Sequence, residues 1–129
     1  MSQNARAYVD FEGDDGCSVG FLISGGGLPF NEGSGVIEIL QGSLVGNWED
    51  CAHWFYGRAR AAGLAVSPSD WTTDVRYSYS VSITDSEEPT VRFTDRTTGT
   101  AGMTVTLRDA AQLNELRRRC EGEDGSPRV

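Results

Sequence analysis

The chain has 129 residues, of which 38% are hydrophobic, and a formal net charge of −8; these values fit one globular domain and argue against disorder. No apolar run approaches the roughly 20 residues of a membrane-spanning helix, and the N-terminal MSQNARAY lacks the basic and apolar regions of a signal peptide. We therefore expect a cytoplasmic protein that does not enter a membrane.

The negative charge is concentrated in the first part of the chain. Residues 1–50 hold eight acidic side chains and one arginine, whereas residues 51–129 hold eleven acidic side chains and ten arginines. An acidic region repels phosphate, which argues against direct nucleic-acid binding and against an anionic membrane surface. It favours a basic protein partner, although acidic surfaces also serve solubility alone.

Two alternating stretches open the chain and predict an antiparallel hairpin. Apolar and polar side chains alternate from Ala5 to Phe11 and again from Cys17 to Ile23, which is the period of half-buried strands. An acidic turn over residues 12–16 joins them. A glycine-rich loop follows, and Val36–Leu40 predicts a third strand.

The stretch from Asn47 to Gly63 predicts an amphipathic helix that packs on the sheet. Asn47 suits the N-cap position, and Gly63 suits termination in a left-handed conformation. The apolar face repeats at spacings of three and four, and comprises Trp48, Cys51, Ala52, Phe55, Ala59 and Ala62.

The second half of the chain predicts three more strands and a second helix. Asp109 and Gln112 resemble a capping box that opens the helix, and Gly122 ends it. A turn at Val66–Asp70 re-enters the sheet. The predicted strands are Asp74–Thr84, Thr90–Thr94 and Met103–Leu107.

These elements predict the α+β class. The expected architecture is a mainly antiparallel β-sheet with two helices packed on one face, in the order βββαβββα. We expect residues 1–122 to form a single domain and residues 123–129 to form a disordered C-terminal tail. An exposed edge strand, the first or the last, would let the chain form a homodimer; otherwise we expect a monomer.

Signatures of catalysis and of metal binding are weak. The one histidine, His53, falls on the polar side of the predicted helix, and no serine occupies a G-x-S-x-G turn. Cys17, Cys51 and Cys120 lie far apart and are expected to be reduced. Cys51 and His53 are two positions apart on a helix, so their side chains diverge and cannot close on one ion. We predict no catalytic residue, no metal and no cofactor.

The acidic turn is the best candidate for recognition of another protein, because carboxylates held on a short turn speed encounter with a basic surface. A tryptophan at the flank of the helix would add an anchor. The predicted partner-binding residues are Asp10, Glu12, Asp14, Asp15, Glu49, Asp50 and Trp54.

The leading interpretation is a non-catalytic protein that occupies a basic surface of a nucleic-acid-binding enzyme or of a toxin, as phage-encoded nuclease inhibitors and immunity proteins do. One alternative is a small-molecule binder with a pocket between the glycine loops and a wall formed by Tyr77 and Tyr79. Another is a small enzyme, which would need two carboxylates and Arg76 or Arg92 facing each other in a cleft.

Overall fold

The computed structural model describes residues 6–72, 74–97 and 102–123, and within them the chain forms six strands and three helices. In chain order these are β1 (Ala7–Glu12), β2 (Ser18–Gly25), α1 (Val36–Gln41), α2 (Trp48–Ala61), β3 (Ala65–Pro68), β4 (Tyr77–Ser82), β5 (Thr90–Asp95), β6 (Met103–Thr106) and α3 (Ala110–Glu123).

The strands form one mixed sheet in the order β3-β2-β1-β4-β5-β6. Neighbouring strands are antiparallel except for β1 and β4, which pair in parallel from Ala7↔Tyr77 to Glu12↔Ser82. Parallel strands end at the same edge of a sheet. The turn after β1 and the turn after β4 therefore lie side by side, at the edge of the sheet where both strands end.

All three helices pack on one face of the sheet, where the strands alternate inward-facing apolar residues. Phe11, Phe21 and Phe55 form an aromatic cluster with ring centroids 5.4–6.2 Å apart, which joins β1 and β2 to α2. Tyr79 and Phe93 continue the cluster towards α3 with centroids 5.3 Å apart. All five side chains belong to one continuous buried core, which explains why the sheet needs only one covered face.

The opposite face of the sheet, which we call the open face, has no helix of the described residues packed on it. Its side chains are the alternate residues of the same strands, among them Tyr8, Asp10 and Ser80. Tyr8 is nearly buried because Trp71 stands edge-on against it, with ring centroids 5.2 Å apart. The Arg96 guanidinium lies over the Trp71 ring, with its carbon 5.3 Å from the ring centroid.

The α+β class predicted from the sequence is confirmed, whereas the predicted order of elements is wrong in two places. Val36–Leu40 is not a strand: it forms α1, because burying Val36, Ile37, Ile39 and Leu40 together requires helical spacing. The stretch predicted as a turn, Val66–Asp70, overlaps the edge strand β3. The observed order is therefore ββααββββα, and three helices rather than two cover the sheet.

Two other predictions about the chain's elements are adjusted by the structure. The strand expected over Asp74–Thr84 is limited to β4, and Glu123, placed in the tail, is still helical. The remainder of the predicted tail, residues 124–129, lies outside the described residues. The first strand is not at an edge, since β1 lies between β2 and β4.

Glu38 of α1 fastens the glycine-rich loop to the core. Its Oε1 accepts hydrogen bonds from the backbone N–H groups of Asn31 (3.0 Å), Gly33 (3.0 Å) and Gly35 (2.8 Å), and its Oε2 lies 3.6 Å from the Arg117 guanidinium. Burial opposes ionisation of Glu38, but these donors together with Arg117 outweigh it, so the pKa of Glu38 lies below its ordinary value of 4.5. The loop is thus closed around a carboxylate of the chain itself.

Removing this carboxylate should destabilise the protein. We expect Glu38→Ala to lower the free energy of unfolding by about 2–3 kcal/mol and Glu38→Gln by about 1 kcal/mol at pH 7, since hydrogen bonds to charged groups contribute about 1.5–3 kcal/mol. The measurement is urea denaturation followed by circular dichroism.

The same variants test the pKa of Glu38. Because the pKa is lower in the folded state than in the unfolded state, the stabilisation by Glu38 is present above pH 4.5 and is lost as the pH falls through the folded pKa. The stability difference between the native chain and Glu38→Gln should therefore shrink on acidification. An equal difference at neutral and acidic pH would contradict this account.

Candidate functional site

Acidic side chains from three separate segments meet at the edge of the sheet where β1 and β4 end. The turn after β1, the turn after β4 and the first turn of α2 surround a shallow cleft of about 220 Å³. We call this edge the acidic pole and define it by five exposed carboxylates: Asp14, Asp15, Glu49, Asp50 and Asp85.

Short-range hydrogen bonds fix each part of the acidic pole. Asp15 Oδ1 accepts a hydrogen bond from the Cys17 N–H at 3.0 Å, which shapes the turn between β1 and β2. Asp14 Oδ2 accepts one from the Asp85 N–H at 3.3 Å and so joins the two turns. The pole is therefore an assembled surface, since its carboxylates come from turns 71 positions apart.

The start of α2 is held at the pole by its cap and by one aromatic contact. Asn47 Oδ1 accepts from the Asp50 N–H at 2.8 Å, and Asp50 Oδ2 accepts from the Asn47 N–H at 3.2 Å, which is a reciprocal capping box. The Trp48 indole lies against Gly13, so closely that a Cβ atom at position 13 would overlap the ring. This contact ties α2 to the turn after β1.

The acidic pole lacks a counter-charge of its own. Within the described ranges, each ion pair joins an arginine to an acid outside the pole, as between Arg6 and Asp74 at 3.4 Å and between Arg108 and Glu88 at 3.5 Å. The positive end of the α2 dipole favours Glu49 and Asp50 at this position. Such a surface produces a concentrated negative potential towards solvent.

Four of the seven residues predicted for partner binding belong to the acidic pole: Asp14 and Asp15 line the cleft, and Glu49 and Asp50 lie in the first turn of α2, whose Trp48 lines it as well. The other three lie elsewhere. Asp10 and Glu12 have their side chains on the open face, and Trp54 lies on the solvent-facing side of α2, about 9 Å along the helix from Trp48.

Sequence reasoning missed Asp85 as a member of the pole. It lies between the predicted strands Asp74–Thr84 and Thr90–Thr94, but no local signal places that connection beside Asp14, because the two are adjacent only through the parallel pairing of β1 and β4. A pairing of strands that are distant in the chain has no signature in either strand by itself.

Asp10 is a half-buried carboxylate on the open face, where its Oδ1 accepts a hydrogen bond from Ser80 Oγ at 3.0 Å. Burial raises the pKa of Asp10 above its ordinary value, and the nearby charge of Glu12 raises it further, while the Ser80 hydrogen bond acts in the opposite direction. The ionised form of Asp10 therefore destabilises the fold slightly at neutral pH.

The residues on which the alternative functions depend lie outside the acidic pole. His53 is exposed on α2. Tyr77 and Tyr79, the expected pocket wall, are buried core residues, and the Tyr79 hydroxyl donates to the Gly27 carbonyl oxygen at 2.7 Å. The glycine loop therefore packs directly on the tyrosine where a ligand would have to enter. Arg76 forms an ion pair with Asp95 at 3.6 Å.

Cys17, Cys51 and Cys120 are free thiols, of which Cys51 is buried and Cys17 is exposed. Among the described residues, no group of three His, Cys, Asp or Glu side chains is arranged to hold a metal ion. Every helix in that part of the chain falls short of the length and apolarity that crossing a bilayer requires. No protein-family model, no curated protein and no solved structure gives a significant match to this chain.

The contact between Gly13 and Trp48 generates a stability prediction. Gly13→Ala should lower the free energy of unfolding by about 1–3 kcal/mol, because the added methyl group has to displace the indole ring. Gly57→Ala on the exposed side of α2 is the matched control, since a Cβ there meets no atom within 4 Å, and it should raise stability. Thermal denaturation and tryptophan fluorescence measure both, and equal stability of the two variants would be the contrary result.

The raised pKa of Asp10 generates a second prediction. A group whose pKa is higher in the folded state contributes stability at low pH that is lost as the pH rises through the folded pKa. Asp10→Asn keeps an oxygen acceptor for Ser80 and removes the charge, so it should raise the Tm by about 1–3 °C at pH 7. Glu12→Gln, an exposed change on the same strand, should have a smaller effect. A lower Tm for Asp10→Asn would show that its charge is stabilising.

Proposed function

We propose that this protein is a non-catalytic inhibitor that binds a basic surface of a partner protein through the acidic pole. The observation that carries the proposal is that three carboxylates, Asp14, Asp15 and Asp85, line one cleft beside the first turn of α2, which holds Glu49 and Asp50. No ion pair of the described residues includes any of these five. A monomer gains no stability from such crowding of like charges, whereas a complex with a basic surface does.

Binding through the pole would proceed in two steps. Its negative potential steers a basic surface towards the protein and speeds the encounter, an effect that salt screens. The cleft between the turns then offers apolar atoms of Trp48 and Ile83 beneath Asp14 and Asp85. An arginine or lysine of the partner can lay its aliphatic stem on this floor while its charged head meets the carboxylates.

The partner class follows from this chemistry. Basic surfaces large enough to meet several carboxylates are typical of proteins that bind nucleic acid. A nuclease or another nucleic-acid-binding enzyme fits, and so does a toxin that acts on nucleic acid. In either case the inhibitor would act sterically, by covering the surface that the substrate needs.

The small-molecule alternative has less support, because its expected walls, Tyr77 and Tyr79, belong to the core. The Gly27 carbonyl oxygen also accepts a hydrogen bond from the Tyr79 hydroxyl. The enzyme alternative required Arg76 or Arg92 in a cleft with two carboxylates. Arg76 has one carboxylate, Asp95, at 3.6 Å. We carry neither alternative further.

The test is the association rate with a partner isolated by affinity capture from the source cells or their host. Asp14→Asn together with Asp15→Asn should lower the association rate constant about threefold to tenfold at low ionic strength, with little change in the dissociation rate. The amides keep the oxygen acceptors that shape the turn.

The matched control is Glu32→Gln together with Asp70→Asn, which removes the same charge from exposed positions outside the pole. This control should associate at the native rate, and added salt should slow the native chain more than the Asp14/Asp15 variant. If the pole variant associates as fast as the control, or if salt has no effect, the pole is not the binding surface.

A further inference from the structure

The solvent-facing side of α2 carries a stripe of residues that the acidic pole does not explain. Since each residue of a helix is turned ~100° from the one before, the members of this stripe lie within an arc of about 100° around the helix axis and are neighbours on one face. We call this set the α2 stripe; it consists of Asp50, Trp54, Gly57, Arg58 and Ala61, and all of them are exposed.

Trp54 is the most unusual member of the stripe. Its side chain is 49% exposed although tryptophan is a costly residue to leave in water, and its only described ring contact is the Arg58 guanidinium 5.7 Å from the ring centroid. Exposed tryptophan with arginine is the composition of an interaction hot spot. The stripe thus presents a projecting side chain.

A groove lies directly beside this projection. It has a volume of about 430 Å³ and is lined by His53, Trp54, Gly57, Arg58 and Ala61. Gly57 is one of the lining residues, yet neither crowding nor backbone conformation requires glycine there: a Cβ would meet no atom within 4 Å. Glycine in the middle of a helix is less stable than alanine, so the residue keeps a slot open at the expense of the helix.

The charges of the stripe are opposite at its two ends. Asp50 lies in the first turn of α2 and Arg58 lies two turns later, with position 54 midway between them. If two copies of α2 pack antiparallel about a two-fold axis, Asp50 of each copy lies opposite Arg58 of the other. Trp54 then lies near the axis, next to the slot at Gly57 of the other copy.

We propose that the α2 stripe is a self-complementary interface, on which a second copy of this chain docks with the two α2 helices antiparallel. A projection, a slot and two opposite charges on one face satisfy the rule for a two-fold interface, in which the same patch serves both subunits. A basic partner fits this stripe less well, because Arg58 and His53 line the groove.

Strand addition, another common route to self-association, is hindered at both edges of the described sheet. At one edge of the sheet, β3 is four residues long and includes Pro68, which has no N–H to donate. At the other edge, the Thr106 N–H of β6 already donates to Gln112 Oε1 at 2.7 Å. Strand addition to either edge is therefore hindered, as it is in many monomeric sheets.

The expected dimer is weak and reversible. α2 has 14 residues, which corresponds to a length of about 21 Å, so a contact along it buries less than the ~800 Å² per partner of a standard interface. Dissociation constants in the micromolar range follow from such a small area. The turns that carry Asp14, Asp15 and Asp85 stay uncovered, so a dimer would present two acidic poles and bind a repetitive basic surface with avidity.

The first experiment measures sedimentation velocity of the intact chain from ~1 µM to ~1 mM. The native protein should convert from monomer to dimer across this range, and Trp54→Ala should weaken the dimer by about tenfold or more. Trp71→Ala is the matched control, because Trp71 is 51% exposed but lies on the open face. A native chain that is monomeric throughout, or equal weakening by both variants, would overturn the proposal.

The second experiment fills the slot. Gly57→Leu should fold with at least the native Tm and lose dimerisation. Gly57→Ala should gain stability and keep most of the dimerisation, since one methyl group leaves the groove open. If Gly57→Leu dimerises as tightly as the native chain, the groove is not part of the interface. This comparison separates lost binding from lost folding, because both variants are expected to be stable.

The third experiment tests the charges and a rival occupant. Arg58→Glu should weaken the dimer, and Arg60→Glu, the same charge change about 160° around the helix from Arg58, should weaken it less. The backbone amide NMR signals of residues 53–61 are then followed while an amphipathic lysine–leucine peptide is added. A monomeric native chain whose signals shift with that peptide would assign the stripe to a foreign basic segment and overturn self-association.

Discussion

The parallel pairing of β1 with β4 is the constraint on which the rest of the structure depends. Every other neighbouring pair of strands is antiparallel. A parallel neighbour requires a crossover connection, and here β2, α1, α2 and β3 lie between β1 and β4 in the chain. The pairing sends both strands towards one edge, and the turns that follow them meet there. The acidic pole is the direct result of this topology, since its carboxylates belong to those turns and to the start of α2.

The pole shows how a surface of like charge is kept in place without opposite charges. Its geometry rests on uncharged contacts, namely the Trp48 ring against Gly13 and backbone N–H groups that donate to Asp14 and Asp15. The carboxylates themselves are exposed, where water and salt reduce their mutual repulsion. Glu38 provides the opposite case: its carboxylate is enclosed by backbone donors, and it stabilises the loop that surrounds it.

The two proposals divide the surface of the molecule between them. The turns of the pole would face a basic partner, and the outer side of α2 would face a second copy of the chain. Asp50 belongs to both regions, because it completes the α2 cap at the pole and also begins the α2 stripe. Self-association and partner binding would therefore use adjacent surfaces that share Asp50. A dimer would place two poles in one particle.

The sequence by itself determined the features that depend on near neighbours in the chain. Alternation assigned β1, β2, β4, β5 and β6, and the cap at Asn47 with the apolar spacing from Trp48 to Ala62 assigned α2. The acidic turn was also evident, because its residues are consecutive. The tertiary structure alone decided what depends on distant partners. The four apolar residues of Val36–Leu40 fit a strand or a helix, and only packing on the core together with the hydrogen bonds of Glu38 selects the helix. Asp85 joins Asp14 across 71 positions, and Trp54 lies apart from the pole on another side of α2. Local patterns record the period of a segment, but which edge or face two segments share is set by strand pairing, which no single segment encodes.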